Sequence, residues 1–180
     1  MSLSQLPNSL FSAPAGTLPH VFFRPARIGD LMPLHRACFK DRPLAQFGES
    51  FRRSLEAQKA GSRLHLLALD GNRPVASGQL LGYSKSVEIA DLAVAPGDRG
   101  KGLGTAVIAV LERVARYCGY DEVEICVMRG NHRALALYRR LGFVPDREFS
   151  LSETATVLVL QKALDGAFNG HISRGVPREQ

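Results

Sequence analysis

The fold of this chain is decided by Asp91-Leu-Ala-Val-Ala-Pro-Gly-Asp-Arg-Gly-Lys-Gly-Leu-Gly-Thr105, in which an apolar segment passes into a Gly-rich loop and then into a helical pattern. Pro96 ends the apolar segment because proline cannot donate to a sheet ladder. Gly100, Gly102 and Gly104 let backbone N–H groups converge and let a bulky anion come close. The helix N-terminus that follows adds a positive dipole and unpaired donors, so the loop predicts a binding site for a diphosphate group.

Two other phosphate-binding patterns do not fit this loop. A P-loop requires G-x-x-x-x-G-K-[ST], and the dinucleotide fingerprint requires G-x-G-x-x-G, whereas the glycines here alternate with other residues. A plain turn that only joins a strand to a helix is the alternative. Arg99 and Lys101 favour the anion site because they add two full positive charges beside the loop.

The elements around the loop follow from hydrophobic periodicity. Apolar residues recur at steps of three and four across 103–118, which predicts a helix that Gly119 ends. A strand is predicted at 122–127, and Asn131 is a suitable N-cap for a short helix that Gly142 ends. Further helices are predicted at 28–39 and 45–60, and further strands at 21–24, 64–69, 75–83, 87–94, 143–149 and 154–160. The long helix would join strands 87–94 and 122–127 as a parallel pair at the centre of a mixed sheet.

Composition and charge limit the class of protein. A chain of 180 residues suits one domain, and no apolar run reaches the roughly 18 residues of a membrane span. The first twenty residues do not resemble a secretory signal, and the three cysteines, Cys38, Cys118 and Cys126, are widely spaced, so a cytoplasmic protein with reduced thiols is expected. The histidines show no metal-ligand spacing. The net charge of +6 suits nucleic acid, a polyphosphate cofactor or plain solvated surface, but no aromatic platform for nucleic acid is evident.

Two motifs carry a resemblance to a known family. Arg99-x-x-Gly102-x-Gly104, after a strand that ends Leu-Ala-Val-Ala-Pro, resembles the coenzyme A pyrophosphate loop of the GNAT superfamily of N-acetyltransferases. Asn131-x-x-Ala134-x-x-Leu137-Tyr138-x-x-Leu141-Gly142-Phe143 is similar to the family's next helix and the turn after it. The resemblance implies an α/β fold with a mostly antiparallel central sheet, one parallel strand pair splayed around acetyl-CoA, and helices on both faces. The domain is expected at 21–164, between an N-terminal arm at 1–20 and a C-terminal tail at 165–180.

The resemblance also implies roles for particular positions. The backbone of Leu92 and Val94 would pair with the pantetheine arm of acetyl-CoA, and the loop would hold its pyrophosphate. Asn131, Ala134 and Tyr138 would share the cofactor face of the second helix, as their spacing independently predicts. No metal is expected. The expected cofactor-binding residues are Leu92, Ala93, Val94, Arg99, Gly100, Lys101, Gly102, Leu103, Gly104, Thr105, Asn131, Ala134 and Tyr138.

Tyr138 and Glu88 are the expected catalytic residues. Tyr138 would return a proton to the departing thiolate, although a buried tyrosine with a satisfied hydroxyl is the alternative. Glu88 would accept the proton of the amine, although a solvated acid at a strand end is the alternative. Alternation puts Glu88 on the face of Leu92 and Val94. Asp91, the second candidate, would face the opposite way unless a bulge re-aims it, and a water relay is the third account.

Other polar residues have simpler interpretations. Cys126 lies on the strand that should border the thioester, but it has no basic partner in sequence, so a small core residue is favoured over a nucleophile. Arg139 and Arg140 are interpreted as a solvated face, and contact with the cofactor's phosphates is the alternative. The acceptor site would be shaped by residues 39–50 and 147–153.

The function expected from these residues is acetyl transfer from acetyl-CoA to a primary amine, of a small molecule or a protein, by direct attack in a ternary complex. A non-catalytic module that senses acetyl-CoA is one alternative. A basic protein that binds nucleic acid is a weaker one. The oligomeric state is open, and a homodimer is one of the options.

Overall fold

A computed structural model of the chain describes residue 3 and residues 6–84, 86–152 and 154–164. The tail expected at 165–180 and positions 1, 2, 4 and 5 of the expected arm lie outside the described residues. The helices are α1 Leu31–Cys38, α2 Leu44–Lys59, α3 Leu103–Tyr117 and α4 His132–Arg140. The strands are β1 Val21–Pro25, β2 Arg63–Asp70, β3 Arg73–Gly82, β4 Val87–Val94, β5 Glu122–Met128, β6 Val144–Ser152 and β7 Ala155–Ala163.

The strands form one seven-stranded sheet in the order β1-β2-β3-β4-β5-β7-β6. Every neighbouring pair is antiparallel except β4 and β5, which confirms the expected mixed sheet with one parallel pair. The parallel ladder is short and joins only Glu88 to Glu124 and Ile89 to Ile125. Because no ladder continues beyond these positions, β4 and β5 part toward their C-terminal ends.

Helices cover the two faces of the sheet, and strand alternation divides the core between them. On β2, Leu64 and Leu66 contact the cluster under α3, whereas Leu67 and Leu69 contact the cluster under α1 and α2. These two surfaces are called the α3 face and the α1–α2 face below. The apolar stripe of α3 is fully buried, and burial of one such aliphatic side chain contributes roughly 1.5–3 kcal/mol.

The described part of the N-terminal segment packs against α3. Leu10 and Phe11 are buried in the α3 cluster, and both belong to a short 3-10 turn, Asn8–Phe11. Arg113 on α3 donates from Nη1 to the carbonyl of Leu10 at 3.2 Å and to that of Ser12 at 2.9 Å. Within the described residues, this segment therefore contributes to the core. None of the helices in these residues is long and apolar enough to cross a membrane.

Candidate active site

The loop between β4 and α3 exposes backbone donors. Gly100 has a φ of +82° and Gly102, the N-cap of α3, has a φ of +79°, a region that side chains with a Cβ rarely adopt. A Cβ built on either glycine would meet no atom within 4 Å, so both residues border open space. In the described chain no side chain caps this end of α3, and its first N–H groups point outward as donors for an anion.

Asp98 connects the same loop to the central sheet through two ion pairs. Its buried carboxylate binds Arg73 of β3 at 2.7 Å and Lys101 of the loop at 2.8 Å. Hydrogen bonds from these two cations lower the pKa of Asp98 to about 2. The ammonium group of Lys101 is therefore directed to Asp98, and Lys101 does not line the cleft described below.

Asn131 and Tyr138 lie on the neighbouring helix, α4. The Asn131 side chain accepts a hydrogen bond from the Ala134 N–H at 3.1 Å, which confirms the predicted N-cap. Tyr138 is buried against Phe143, with ring centroids 5.9 Å apart, and burial raises its pKa to about 12. Among the described residues only Ser77 Oγ is both sealed from solvent and without a hydrogen-bond partner. The hydroxyl of Tyr138 has no hydrogen-bond partner among the described residues either, and it therefore retains access to the cleft that its residue lines.

An open cleft of about 700 Å³ joins the loop, α3 and α4. It contains Leu92 and Val94, which pack on the α3 face, and also Ala93 and Cys38, which pack on the α1–α2 face. The cleft therefore has lining residues from both faces of the sheet at the C-terminal end of β4, but Glu88 and Asp91 are not among the residues that line it. The expected cofactor residues that line it are Leu92, Ala93, Val94, Arg99, Gly100, Gly102, Leu103, Gly104, Thr105, Asn131, Ala134 and Tyr138.

The structure adds residues to this cleft that the sequence had not indicated. Arg133, which the sequence had not indicated, and Arg140, for which a solvated face had been favoured over phosphate contact, both line it from α4. Arg133, Leu137 and Arg140 are spaced by four and three residues and so share one face of α4. This spacing could have predicted from the sequence that both arginines line the cleft. Cys38 also lines the cleft, and burial raises the pKa of its thiol to about 11. Free N–H groups, open glycines and several arginines form a donor set that fits a diphosphate-bearing ligand.

A bulge in β4 corrects the expected side-chain directions. Ser77 of β3 pairs with Ala93 and Gln79 pairs with Ala90, so Gly78 alone lies opposite two residues of β4. One of these two, Asp91, has a φ of +48°. A Cβ on Gly78 would lie 2.8 Å from a methyl group of Val107, so α3 packs too closely against the bulge for a larger residue.

The bulge brings both candidate bases to one face. Asp91 accepts a hydrogen bond from Gln79 Nε2 at 3.0 Å and lies 3.4 Å from Arg42, on the α1–α2 face. Leu92 and Val94 instead pack on the α3 face. The expectation that Glu88 shares a face with Leu92 and Val94 was wrong, because the extra residue reverses the alternation. Glu88 shares its face with Asp91.

Glu88 lies one residue before Ile89, the last position of β4 that pairs with β5. Its Oε2 accepts a hydrogen bond from the Tyr83 hydroxyl at 3.2 Å, and the thiol of Cys126 faces the same carboxylate. Partial desolvation and the charges of Glu88 and Glu124 raise the pKa of Cys126 to about 11. The thiol is therefore protonated at neutral pH, which argues against Cys126 as a nucleophile. In the described residues no group of three or more His, Cys, Asp or Glu side chains could hold a metal ion.

The sequence profile of the acetyltransferase (GNAT) family matches residues 28–143, from the turn before α1 to the turn after α4. The chain belongs to this family. Both motifs of the resemblance lie within the matched range, as do Glu88 and Asp91. The GNAT match also includes α1 and α2, which the two motifs alone did not cover.

Relatives and solved structures agree with the GNAT assignment. The chain is 40% identical over 60 residues to the uncharacterized N-acetyltransferase YobR of Bacillus subtilis, covering 33% of this chain and 24% of YobR. It is 47% identical over 58 residues to mycothiol acetyltransferase of Beutenbergia cavernae, covering 32% of this chain and 20% of that relative. It therefore spans a quarter or less of these curated relatives. The PaiA N-acetyltransferase of Thermoplasma acidophilum, solved with coenzyme A, has the same fold (TM-score 0.62, 17% identity, covering 79% of this chain and 98% of that chain).

Proposed function

We propose that this protein transfers the acetyl group of acetyl-CoA to a primary amine, of a small molecule or a protein, by direct attack in a ternary complex. The observation that carries the proposal is the cleft of about 700 Å³ that joins the free N–H groups at the start of α3 to Tyr138 and to the C-terminal end of β4, where β4 no longer pairs with β5. Because this cleft has lining residues from both faces of the sheet, it would let two substrates meet at the end of β4. Holding both reactants in place supplies much of the rate in this kind of reaction.

Chain groups on the α3 face would hold acetyl-CoA, which supplies an activated acetyl thioester when bound. Backbone N–H groups at Arg99–Thr105 would bind its pyrophosphate, with the Arg99 side chain beside them. Beyond Ile89, the edge of β4 that faces β5 has no ladder partner among the described strands, so its peptide groups remain free for an extended arm. Donors near Leu92 would then stabilise the charge that develops on the thioester oxygen.

Two side chains would move protons. The amine nitrogen bonds to the acetyl carbon, the C–S bond breaks, and the proton lost by the amine goes to Glu88. Asp91 and a water relay remain the alternative routes. Tyr138 would give a proton to the sulfur, and its pKa of about 12 keeps the phenol protonated at neutral pH.

Both segments expected to shape the acceptor site reach this face. Arg42, in the segment 39–50, lies beside Asp91, and it also stacks over Phe39 with 4.8 Å between the guanidinium carbon and the ring centroid. Arg147, in the segment 147–153, binds both oxygens of Glu124 at 3.0 Å. Residue 153 lies outside the described chain. These contacts support an acceptor that enters between the two segments.

A screen of primary amines tests the proposal. The protein is incubated with acetyl-CoA and single amines, and release of free thiol is followed together with the mass of the acetylated product. We expect amine-dependent thiol release and a product heavier by one acetyl group. Tight binding of coenzyme A without transfer to any amine would favour the sensing module. Steeply salt-dependent binding of DNA or RNA, without transfer, would favour the nucleic-acid alternative.

A further inference from the structure

Side chains of β5, β7 and β6 form two rows on the α1–α2 face beside Glu88. Cys126 pairs with Val159, which pairs with Arg147, and paired residues of neighbouring strands share a face. The contact of Cys126 with Glu88 and that of Arg147 with Glu124 put this first row on the face of the candidate base. The two outer residues of the first row are polar, Val159 between them is buried, and Cys126 borders the gap between β4 and β5.

The second row is apolar and lies two residues further along the strands. Met128 pairs with Val157, which pairs with Phe149. Met128 is 42% exposed and Phe149 is 46% exposed, whereas Val157 between them is buried. Two residues of a strand span about 7 Å, and Met128 lies four residues, about 13 Å, beyond Glu124, the residue that pairs with Glu88.

We infer that Met128 and Phe149 bind an apolar group of the acceptor, so that the acceptor is a primary amine carried on an aliphatic or aromatic substituent. The inference rests on the proposed function, and it adds the class of acceptor. Glu88 attracts the ammonium group at one end, and the Met128–Phe149 row removes an apolar group from water at the other. Among the described residues near this row, Glu124 and Asp146 are already paired with Arg147. A second ammonium group would therefore find no free carboxylate among these described residues.

Two amines of equal length test this acceptor class. Hexylamine and hexane-1,6-diamine present the same primary amine, but the far end is a methyl group in the first and a second charge in the second. We expect kcat/KM to be about tenfold or more higher for hexylamine, within the range by which apolar pockets discriminate. Phe149→Ser should raise KM for hexylamine by about tenfold with little change in kcat, because it removes binding that the ground state and the transition state share.

Phe22→Ser is the matched control for this substitution. Phe22 is 45% exposed, almost the same as Phe149, but it lies on β1 at the opposite edge of the sheet. It should leave the preference between the two amines unchanged. Equal kcat/KM values for the two amines, or equal effects of the two substitutions, would overturn the inference while acetyl transfer itself stands.

A readout without turnover separates this inference from the proposed function. The sequence contains no tryptophan, so Phe149→Trp introduces a single fluorescent reporter, and Phe22→Trp is its control. With coenzyme A bound, hexylamine should shift the emission of Phe149→Trp to the blue and leave Phe22→Trp unchanged. That shift without transfer to any amine would support the binding site and contradict the transfer. An unchanged emission, or a dimer in sedimentation that Phe149→Ser dissociates, would mean that the acceptor does not bind this row.

Discussion

Gln79 holds Asp91 by a hydrogen bond of 3.0 Å between its amide Nε2 and the carboxylate Oδ2. The amide is buried, and its Oε1 accepts from Arg63 at 2.7 Å, so its orientation is set from both ends. Arg42 contacts the other oxygen of Asp91 at 3.4 Å. Asp91 is therefore engaged by structural donors on both oxygens, whereas the described contacts of Glu88 are with a phenol and a thiol.

This difference predicts unequal effects at the two acids. Glu88→Gln should lower kcat/KM by about 10²-fold and flatten the acidic side of the pH profile, because it removes the proton acceptor. Asp91→Asn should have the smaller kinetic effect and act mainly through stability. Kinetics across pH, with calorimetry of coenzyme A binding as the control for folding, check both. If Glu88→Gln keeps the wild-type pH profile while folded Asp91→Asn loses its activity, Asp91 would be the base rather than Glu88. Wild-type pH profiles in both variants would favour a water relay.

Gly102→Val should weaken coenzyme A binding by at least about tenfold, because the new side chain enters the open space beside the free N–H groups. Backbone strain at a φ of +79° should also cost about 1–2 kcal/mol of stability. Gly16→Val is a matched control, since Gly16 has the same φ of +79° and no atom within 4 Å of an added Cβ, and it does not line the cleft. Calorimetry should show a loss of affinity for Gly102→Val alone. Unchanged affinity in a folded Gly102→Val variant would reject the assignment of the loop.

Tyr138→Phe should lower kcat by roughly 10²-fold and leave the affinity for coenzyme A nearly intact. The substitution keeps the ring against Phe143 and removes only the proton donor. Single-turnover measurements, in which chemistry limits the rate, provide the check. A wild-type rate under those conditions would leave Tyr138 as a packing residue.

Alkaline unfolding gives a second, independent test of the Tyr138 environment. The pKa of the phenol is raised from 10 to about 12, so the stability that the protonated phenol contributes is complete below pH 10 and is lost as the pH rises to about 12. The wild-type protein should therefore lose about 2 kcal/mol more than Tyr138→Phe over this interval. Urea unfolding of both proteins at pH 9 and pH 12 measures the difference. Parallel losses would mean that the hydroxyl is not desolvated.

Local signals account for the parts of the fold that the sequence predicted. The apolar stripe of α3, Gly119 with a φ of +84° and the cap at Asn131 each depend on residues within a few positions of one another. The short parallel ladder between β4 and β5 followed from the length of the helix that joins them. Each of these features is determined by residues in the same part of the sequence, which is why the sequence predicted them.

The directions of side chains near the bulge depend on distant residues, and so the sequence did not predict them. Asp91 faces the α1–α2 side because Gly78 leaves room for Val107, and because Gln79 supplies a donor to the carboxylate. Lys101 contacts Asp98 across a loop of irregular backbone, where no simple periodicity applies. A pattern of residue types alone does not contain these contacts.

The carboxylate of Asp98 has a consequence for how a cofactor binds. By joining Arg73 of β3 to Lys101, it fastens the loop to the central sheet within the chain itself. The loop is thus preorganised, and a ligand that enters it has little conformational entropy to remove. The rate of association would then be governed by diffusion and by the charges of Arg99, Arg133 and Arg140, which line the cleft. Added salt screens these charges, so it should lower the association rate constant rather than slow a closure step.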